Sequence, residues 1–370
     1  MIDPKVPSAA AALALLAGVH AAAATAIPYA PVLGAQPEYR EIKDWVLACD
    51  NTRACFAKYV AADDGAGGGG YLSIEREAGP TGALEVTIVG DQDASPALPG
   101  PGGPLLDGKP LGAFAWTRDA KTESLTLRGA AAERFIRAIG DGARLAYGPG
   151  KGAPYVSLSG MKAALLAMDD DQGRLGGVTA LARPGPKPAS TVPPATPAPV
   201  IYARPTPDNL PNSAAFAAAV RKAEARVLKA HDCYAEQAAQ DQAHALDGAN
   251  AIVILGCMEA AYQGTVLVFE APRDAPAKAH QLFMPLEPRL DPGDSTNSDG
   301  EYTEGDWDPK SAAFGQSAKG RGIADCGSSS TWTWTGQAFQ LSDYDALVRC
   351  GGGPVAGEWP TIYRTRVINR

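Results

Sequence analysis

A serine and a lysine three residues apart form a motif that could carry acyl-transfer chemistry. Ser159 and Lys162 fit the pattern S-x-x-K of penicillin-binding proteins and β-lactamases, in which the lysine lies one helical turn from the nucleophilic serine. The accompanying motifs are missing, because Lys121-Thr122-Glu123 lacks the glycine and Ser342-Asp343-Tyr344 lacks the asparagine. We therefore interpret Ser159 as a helix cap and Lys162 as a solvated side chain.

A Ser-His-Asp triad has little support in the sequence. Beyond the N-terminal segment the chain holds His231, His244 and His280, and it contains no G-x-S-x-G sequence. A pair of catalytic carboxylates, as in glycoside hydrolases, is an alternative that stays open, because the separation of two carboxylates is a property of the fold. No catalytic residue is assigned.

Six cysteines are compatible with disulfides, a zinc site or thiol chemistry. Zinc is disfavoured, because the sequence has no C-x-x-C pair and no Cys/His cluster with ligand spacing. Cys49 lies close to Cys55, and the other four cysteines form two equal intervals. This spacing favours three sequential disulfides, which leave no thiol nucleophile: Cys49–Cys55, Cys233–Cys257 and Cys326–Cys350.

The acidic stretch 291–308 contains the candidate metal site. Residues 295–306 roughly fit a calcium loop, with Gly300 at the sixth position. Ser295 replaces the usual first aspartate, and Asp306 is shorter than the usual final glutamate, so we favour a solvated acidic loop over a calcium site. No cofactor is expected; if this stretch does bind calcium, the candidate ligands are Asn297, Asp299, Glu301 and Asp306.

Three tryptophans and an arginine are the candidate ligand-binding residues. Trp332 and Trp334 alternate along a predicted strand and so share one face, and Trp359 begins a later predicted strand. Such side chains bind sugars or peptides when they are exposed and fill the core when they are buried. Arg321, in the glycine-rich stretch before Cys326, could shape an anion-binding turn.

The composition limits the class of protein. The chain has 370 residues, of which 45% are hydrophobic and 20% are charged, and this is sufficient for two folded domains. Its formal net charge is −8 and no basic stripe is present, so nucleic acid is not an expected partner.

Residues 1–26 have the pattern of a secretory signal peptide. Lys5 precedes the apolar run 9–19, and Ala24-Thr25-Ala26 supplies small residues at the cleavage positions. No later segment is long and apolar enough to span a membrane. We expect this peptide to be removed and the mature protein to be periplasmic or secreted, where disulfides persist.

A proline-rich segment divides the chain. Ten prolines lie between Pro184 and Pro211, where neither a helix nor a central strand can run. We expect an extended linker over 184–211, between an N-terminal β-rich domain, 38–183, and a C-terminal α+β, β-rich domain, 212–370. The predicted fold class is mainly β with a few helices, in two antiparallel sandwich-like or barrel-like domains.

Hydrophobic periodicity places these candidates on secondary structure. Short alternating runs predict strands in the first domain, and two amphipathic stretches predict helices over 130–139 and 159–168. In the second domain a helix is expected over 212–229. The tryptophans then fall on a predicted hairpin, 331–341, and on a final strand, 359–367.

Three stretches that carry cysteines form a recognisable set. They are I-K-D-W at 42–45 through to Cys55, K-G-R-G-I-A-D-C-G at 319–327, and W-T-W-T-G at 332–336 through Cys350 to E-W-P. Together they resemble the bacterial domain-of-unknown-function family 1176 over most of residues 38–370. The resemblance implies an exported protein with disulfides and transfers no activity. The first domain, with its W-x-x-x-C strand, is also similar to the invasion-associated locus B family.

The sequence favours binding over catalysis. Because complete catalytic sets are missing, we hypothesise an exported, disulfide-stabilised envelope protein that binds an envelope protein or a glycan. The alternative is a cell-envelope hydrolase with a carboxylate pair that the sequence does not identify. A deep cleft with convergent carboxylates favours the hydrolase, and a shallow aromatic face favours binding.

The cysteine interpretation can be tested by mass spectrometry of the intact exported protein. Alkylation without reduction is expected to add nothing, because all thiols are oxidised, and alkylation after reduction is expected to label six cysteines. Six thiols that react before reduction would contradict the disulfides.

Overall fold

The computed structural model describes five ranges of the chain, which are 33–61, 69–90, 98–290, 299–351 and 358–370. The predicted signal peptide lies outside the described residues. Within these ranges the protein is mainly β with a few helices, and most of its strand pairs are antiparallel, as the sequence predicts. No helix in them is long and apolar enough to cross a bilayer.

The N-terminal half consists of short strands and two helices. The helices are α1 (Ala130–Ile139) and α2 (Met161–Asp171). The strands are β1 (Glu38–Ile42), β2 (Trp45–Cys49), β3 (Cys55–Tyr59), β4 (Tyr71–Arg76), β5 (Leu84–Val89), β6 (Leu105–Leu106), β7 (Lys109–Pro110), β8 (Thr117–Asp119), β9 (Ser124–Arg128), β10 (Arg144–Ala146) and β11 (Tyr155–Ser157).

Seven of these strands form the N-terminal sheet, in the order β1-β2-β3-β4-β5-β9-β8. Strand β5 shows the alternation, because Leu84, Val86 and Ile88 are buried on one face while Glu85 and Thr87 lie on the other. The apolar face packs against α1, α2 and a small sheet of order β11-β10-β6-β7. The second face is polar in its middle, and it faces the C-terminal half of the protein.

The C-terminal half begins with helices and continues with longer strands. The helices are α3 (Ser213–Ala223) and α4 (Ala225–Ala230). The strands are β12 (Val200–Ala203), β13 (Gln242–Ala245), β14 (Asn250–Glu259), β15 (Gly264–Pro272), β16 (His280–Gln281), β17 (Glu301–Thr303), β18 (Asp306–Asp308), β19 (Ala313–Lys319), β20 (Gly327–Trp334), β21 (Phe339–Leu347), β22 (Thr361–Arg364) and β23 (Arg366–Asn369).

Two sheets of this half pack face to face. The middle sheet has the order β13-β14-β15-β16 with β17 beside β15, and the outer sheet has the order β18-β19-β20-β21-β22. Phe216 and Val220 of α3 cover one face of the middle sheet, and an aromatic core around Phe314 and Trp332 fills the space between the two sheets. The C-terminal half is therefore a β-sandwich with a helix on one side.

The proline-rich segment lies against the protein at several points. Val192 is buried, and β12 pairs in parallel with β23 near the C-terminus. In the two-stranded sheet β12-β23, each strand needs backbone hydrogen-bond partners along one edge only. Prolines, which lack an N–H group, are therefore tolerated near β12.

Three disulfides cross-link the described chain, and they are the pairs that the spacing favours. Cys49 and Cys55 join β2 to β3 at directly opposed positions. Cys233–Cys257 ties the segment after α4 to β14, and Cys326–Cys350 ties the start of β20 to the segment after β21.

The turn between β2 and β3, which the Cys49–Cys55 disulfide closes, joins the two halves. Asn51 is fully buried; its amide nitrogen donates to the carbonyl oxygen of Arg364 at 3.0 Å, and its Oδ1 accepts from the Arg364 backbone N–H at 2.9 Å. Asp50, also buried, forms an ion pair with the Arg364 guanidinium. Asn51 thus extends the hydrogen bonding of β22 as a neighbouring strand would.

Several elements differ from their predicted bounds for local reasons. Helix α2 begins at Met161 because Gly160, at φ 100°, precedes it and approaches the Ile42 carbonyl oxygen too closely for a Cβ atom. The helix expected over 212–229 is interrupted at Glu224. The final strand divides into β22 and β23, which belong to different sheets.

Asn51→Ala is expected to lower the free energy of unfolding by about 1–3 kcal/mol, because it removes two partly buried hydrogen bonds to the Arg364 backbone. Urea denaturation measures this loss. The matched control, Gln340→Ala at an exposed position of β21, is expected to change stability by less than about 0.5 kcal/mol. Equal stability of the two variants would show that the Asn51 hydrogen bonds do not hold the halves together.

Candidate functional site

A cleft of about 310 Å³ lies between the polar face of the N-terminal sheet and the segment that leads into β22. Phe56 and Glu75 line one wall, and Glu358, Trp359 and Arg364 line the other. We call this feature the acidic cleft. The Asp50-Asn51 turn holds β22 beside the N-terminal sheet at this cleft.

Carboxylates face each other directly on the N-terminal wall. Glu75 of β4 is the cross-strand partner of Glu85 of β5, and Glu77 continues the same face beyond β4. Like charges at directly opposed positions destabilise a sheet. Arg128 holds the Glu85 carboxylate at 2.7 Å, whereas Glu75 and Glu77 have no ion pair with any described residue.

The Glu75 carboxyl has a strongly perturbed proton affinity. Desolvation by the cleft walls, together with the charges of Glu85 and Glu358, raises the pKa of Glu75 from 4.5 to about 7. Arg364 opposes this shift but is too weak to cancel it. The side chain nevertheless keeps part of its surface exposed in the open cleft. Glu75 is therefore an accessible carboxyl group that exchanges its proton near neutral pH.

A buried polar cluster lies behind Glu358, next to the cleft. Tyr71 and Ser73 precede Glu75 on the same face of β4, and each is 1% exposed. Lys58 of β3 lies opposite Ser73, with its Nζ 4.7 Å from the centre of the Tyr71 ring and 3.3 Å from the Glu358 carbonyl oxygen. Desolvation lowers the pKa of Lys58, although Glu358 and Asp325 partly counteract it.

Four buried polar atoms in this region have no hydrogen-bond partner among the described residues. They are Tyr71 Oη, Ser73 Oγ, Glu358 Oε2 and Trp359 Nε1. Tyr71 lies beside both Glu358 and Ser73, but without hydrogen-bonding geometry to either. Since buried polar groups are almost always paired, this set indicates a place for water or for a polar ligand group.

A second pair of carboxyl groups lies on the neighbouring strand β21. Asp343 and Asp345 share one face and contact each other, and Asp343 is the cross-strand partner of Arg364. Desolvation and the charge of Asp345 raise the pKa of Asp343, while Arg364 lowers it. Arg364 therefore connects this pair with Asp50 and with the acidic cleft.

Trp359 is the candidate ligand-binding residue that the structure places in the cleft. It is half-buried on the wall opposite Phe56. Trp332 and Trp334 do share one face of β20, but that face is turned to the core between the sheets, and they are 1% and 6% exposed. The expectation of an exposed binding side chain is therefore wrong for Trp332. Its Nε1 donates to the Pro285 carbonyl oxygen at 2.8 Å.

Arg321 does not offer a free charge to an anion. Its Nε donates to Asp325 Oδ1 at 2.7 Å, and Asp325 is buried beside the Cys326–Cys350 disulfide. The glycine-rich segment serves the disulfide instead, because a Cβ atom at Gly320 would lie 2.5 Å from Cys326 Sγ.

The described candidate calcium ligands lie on different elements of the C-terminal half. Asn297 lies outside the described residues, Glu301 belongs to β17 of the middle sheet, and Asp306 belongs to β18 of the outer sheet. Asp299 Oδ1 accepts the Glu301 backbone N–H at 3.2 Å. Within the described residues, Asp299, Glu301 and Asp306 do not form one of the close groups of potential metal ligands.

Other ligand-type clusters in the described ranges do not support a metal site. The two groups of three such side chains that lie close together each contain a disulfide, whose sulfur atoms are not thiolates. Lys162 of the S-x-x-K motif donates to Asp141 at 2.7 Å on the surface, so no Ser159–Lys162 pair is formed.

Apart from Trp359, the sequence analysis does not identify the residues of the cleft and of the buried polar cluster beside it. Tyr71, Ser73 and Glu75 alternate with the apolar Leu72 and Ile74, so the sequence does place them on one face. That pattern is also typical of a solvated sheet face. The information that Glu358 and Trp359 lie across from them comes from the tertiary structure alone.

The described chain is a disulfide-stabilised, mainly β protein with an acidic cleft. A family model described as "Protein of unknown function (DUF1176)" matches residues 39–366. The "Uncharacterized protein YpfG" of Escherichia coli (strain K12) is 30% identical over 347 residues, which cover 90% of this chain and 94% of that protein. The chain belongs to the DUF1176 family. No solved structure matches it, and the similarity to the invasion-associated locus B family is not shown.

The raised pKa of Glu75 makes stability depend on pH. A folded-state pKa above the unfolded value means that folding takes up a proton, so this group's contribution to stability falls as the pH rises from 4.5 to about 7. Glu75→Gln removes the titration. The variant is therefore expected to gain stability relative to the wild type as the pH rises. The difference between the urea midpoints of the variant and the wild type is expected to be larger, in favour of the variant, at about pH 8 than at about pH 4.

The control for this experiment is Glu236→Gln, since Glu236 is exposed in a 3-10 helix of the C-terminal half. Its stability difference from the wild type is expected to be independent of pH. A pH-independent difference for Glu75→Gln as well would show that the cleft does not perturb Glu75.

Proposed function

We propose that this protein is an exported envelope protein whose acidic cleft binds a ligand that carries a cationic group. The observation that supports the proposal is the opposition of Glu75 and Glu85 on adjacent strands, in a cleft where Glu75 and Glu77 have no ion pair among the described residues. A bound cation would offset the repulsion between these carboxylates.

The aromatic side chains of the cleft fit a binding role. Phe56 and Trp359 are half-buried on opposite walls, so each retains surface that a ligand can cover. The volume of the cleft lies at the small end of the range for ligand pockets, which favours a small molecule or one unit of a polymer.

Export is part of the same proposal. The N-terminal pattern of residues 1–26 favours a signal peptide, and three disulfides fit an oxidising compartment such as the periplasm or the exterior. The ligand would then be an envelope component or a solute that reaches the envelope.

A hydrolase is the second candidate, and the protonation behaviour of Glu75 favours it. A carboxyl group with a pKa of about 7 can donate a proton at neutral pH, as the acid of a glycoside hydrolase does. Glu85 or Glu358 would then supply the second carboxylate. Under this alternative Glu75→Gln abolishes turnover of a bound ligand, whereas under the binding proposal no ligand is consumed.

The binding proposal is tested with two ring compounds that differ in charge, cyclohexylammonium and cyclohexanecarboxylate. In an NMR titration of the full mature protein, the cation is expected to shift the indole N–H signal of Trp359, which Trp359→Phe identifies. The anion is expected to leave it unchanged. Glu75→Gln is expected to weaken cation binding about tenfold or more, because it removes a charged partner.

Glu236→Gln serves again as the control, and it is expected to bind the cation as the wild type does. Equal shifts by the cation and the anion, or no shift by either, would refute the proposal.

A further inference from the structure

Glu358, which lines the acidic cleft, lies beside Tyr71 of the buried polar cluster. Tyr71, Ser73 and Glu75 occupy successive positions on one face of β4, so their side chains form a continuous row from the interior to the open cleft. The row begins with two hydroxyl groups and ends with a carboxylate. A ligand that follows it meets hydrogen-bonding groups at its inner end and negative charge at its outer end.

We propose that the ligand of the acidic cleft is an amino sugar, with its ammonium group against Glu75 and Glu77 and its hydroxyl groups at Tyr71 and Ser73. This inference rests on the proposed function and names its ligand class. An amino sugar combines the three chemical features that the cleft pairs with: a cationic amine, several hydroxyl groups, and a ring with an apolar face.

The hydroxyl groups of Tyr71 and Ser73 carry the sugar part of the argument. Both residues are 1% exposed, and neither hydroxyl has a hydrogen-bond partner among the described residues. A hydroxyl group both donates and accepts, so a polyhydroxylated ligand can satisfy Tyr71, Ser73 and the neighbouring Glu358 Oε2 together. A simple alkylamine leaves them unpaired.

The Glu358 side chain controls access to these hydroxyl groups. It lies beside Tyr71, and its Oε2 is 3.9 Å from Lys58 Nζ, which is a long ion pair. The side chain is 37% exposed, and the proposal requires a change of its rotamer that carries the carboxylate into the open cleft. In that position Glu358 adds a further negative charge beside Glu75.

The aromatic walls accept the ring. Phe56 is the cross-strand neighbour of Glu75, and Trp359 follows Glu358, so each aromatic side chain adjoins a carboxylate. The apolar C–H face of a sugar ring can pack on either aromatic side chain while its polar edge reaches the row on β4. The unpaired Trp359 Nε1 can donate to a sugar hydroxyl.

The test compares three probes in the same NMR titration: glucosamine, glucose and cyclohexylammonium. Glucosamine is expected to bind most tightly, because it alone has both the amine and the hydroxyl groups. Tyr71→Phe and Ser73→Ala are each expected to weaken glucosamine binding about threefold to tenfold, and to leave cyclohexylammonium binding unchanged.

Stability measurements show whether these variants report on binding. Because Tyr71→Phe and Ser73→Ala each remove a buried hydroxyl without a partner, neither is expected to lower the free energy of unfolding. Tyr262→Phe, at an exposed position between β14 and β15, is the matched control and is expected to leave all three affinities unchanged.

Each result bears on a different claim. If cyclohexylammonium binds as tightly as glucosamine and the hydroxyl variants change neither affinity, the cleft binds amines but the amino-sugar inference is wrong. If neither amine binds, the proposed function fails as well. Tight binding of glucose without selectivity for the amine would overturn the role of Glu75 and Glu77.

Discussion

The structure depends on the buried contact that Asp50 and Asn51 make with Arg364. A short hairpin turn, closed by the Cys49–Cys55 disulfide, carries these two residues out of the N-terminal sheet. Asn51 hydrogen-bonds both backbone groups of Arg364, and Asp50 holds its guanidinium. Because Asp50 and Asn51 are buried and their turn is cross-linked, the two halves meet in a defined register, and the acidic cleft is the space left beside this contact.

The same contact determines the electrostatics of the cleft. Arg364 is the cation nearest to several carboxyl groups, yet Asp50 already pairs with it. Its effect on Glu75 is therefore smaller than the combined effect of desolvation and of Glu85. A sheet tolerates opposed carboxylates at this position because the rest of the N-terminal sheet is held by an apolar face packed against two helices. Local repulsion of this kind is typical of binding and catalytic sites.

Much of the fold follows from local patterns in the sequence. Alternating runs predict β4 and β5 correctly, and the amphipathic stretch over 130–139 coincides with α1. The mainly β class, the family and the cysteine pairs also agree with what the spacing and motifs favour. Predictions of side-chain exposure fail where the local pattern allows a residue to face either solvent or the core. Trp332 on an alternating strand can face solvent or core, and the second sheet that buries it is remote in sequence.

By itself the sequence determines which residues share a face, because the period of a strand is a local property. It places Tyr71, Ser73 and Glu75 together and separates them from Leu72 and Ile74. The tertiary structure decides what that face meets, since packing depends on contacts between distant segments. The Asn51–Arg364 contact, together with the contact of Lys58 with Glu358, brings Glu358 and Trp359 opposite Glu75, and so turns an ordinary polar strand face into the wall of a cleft.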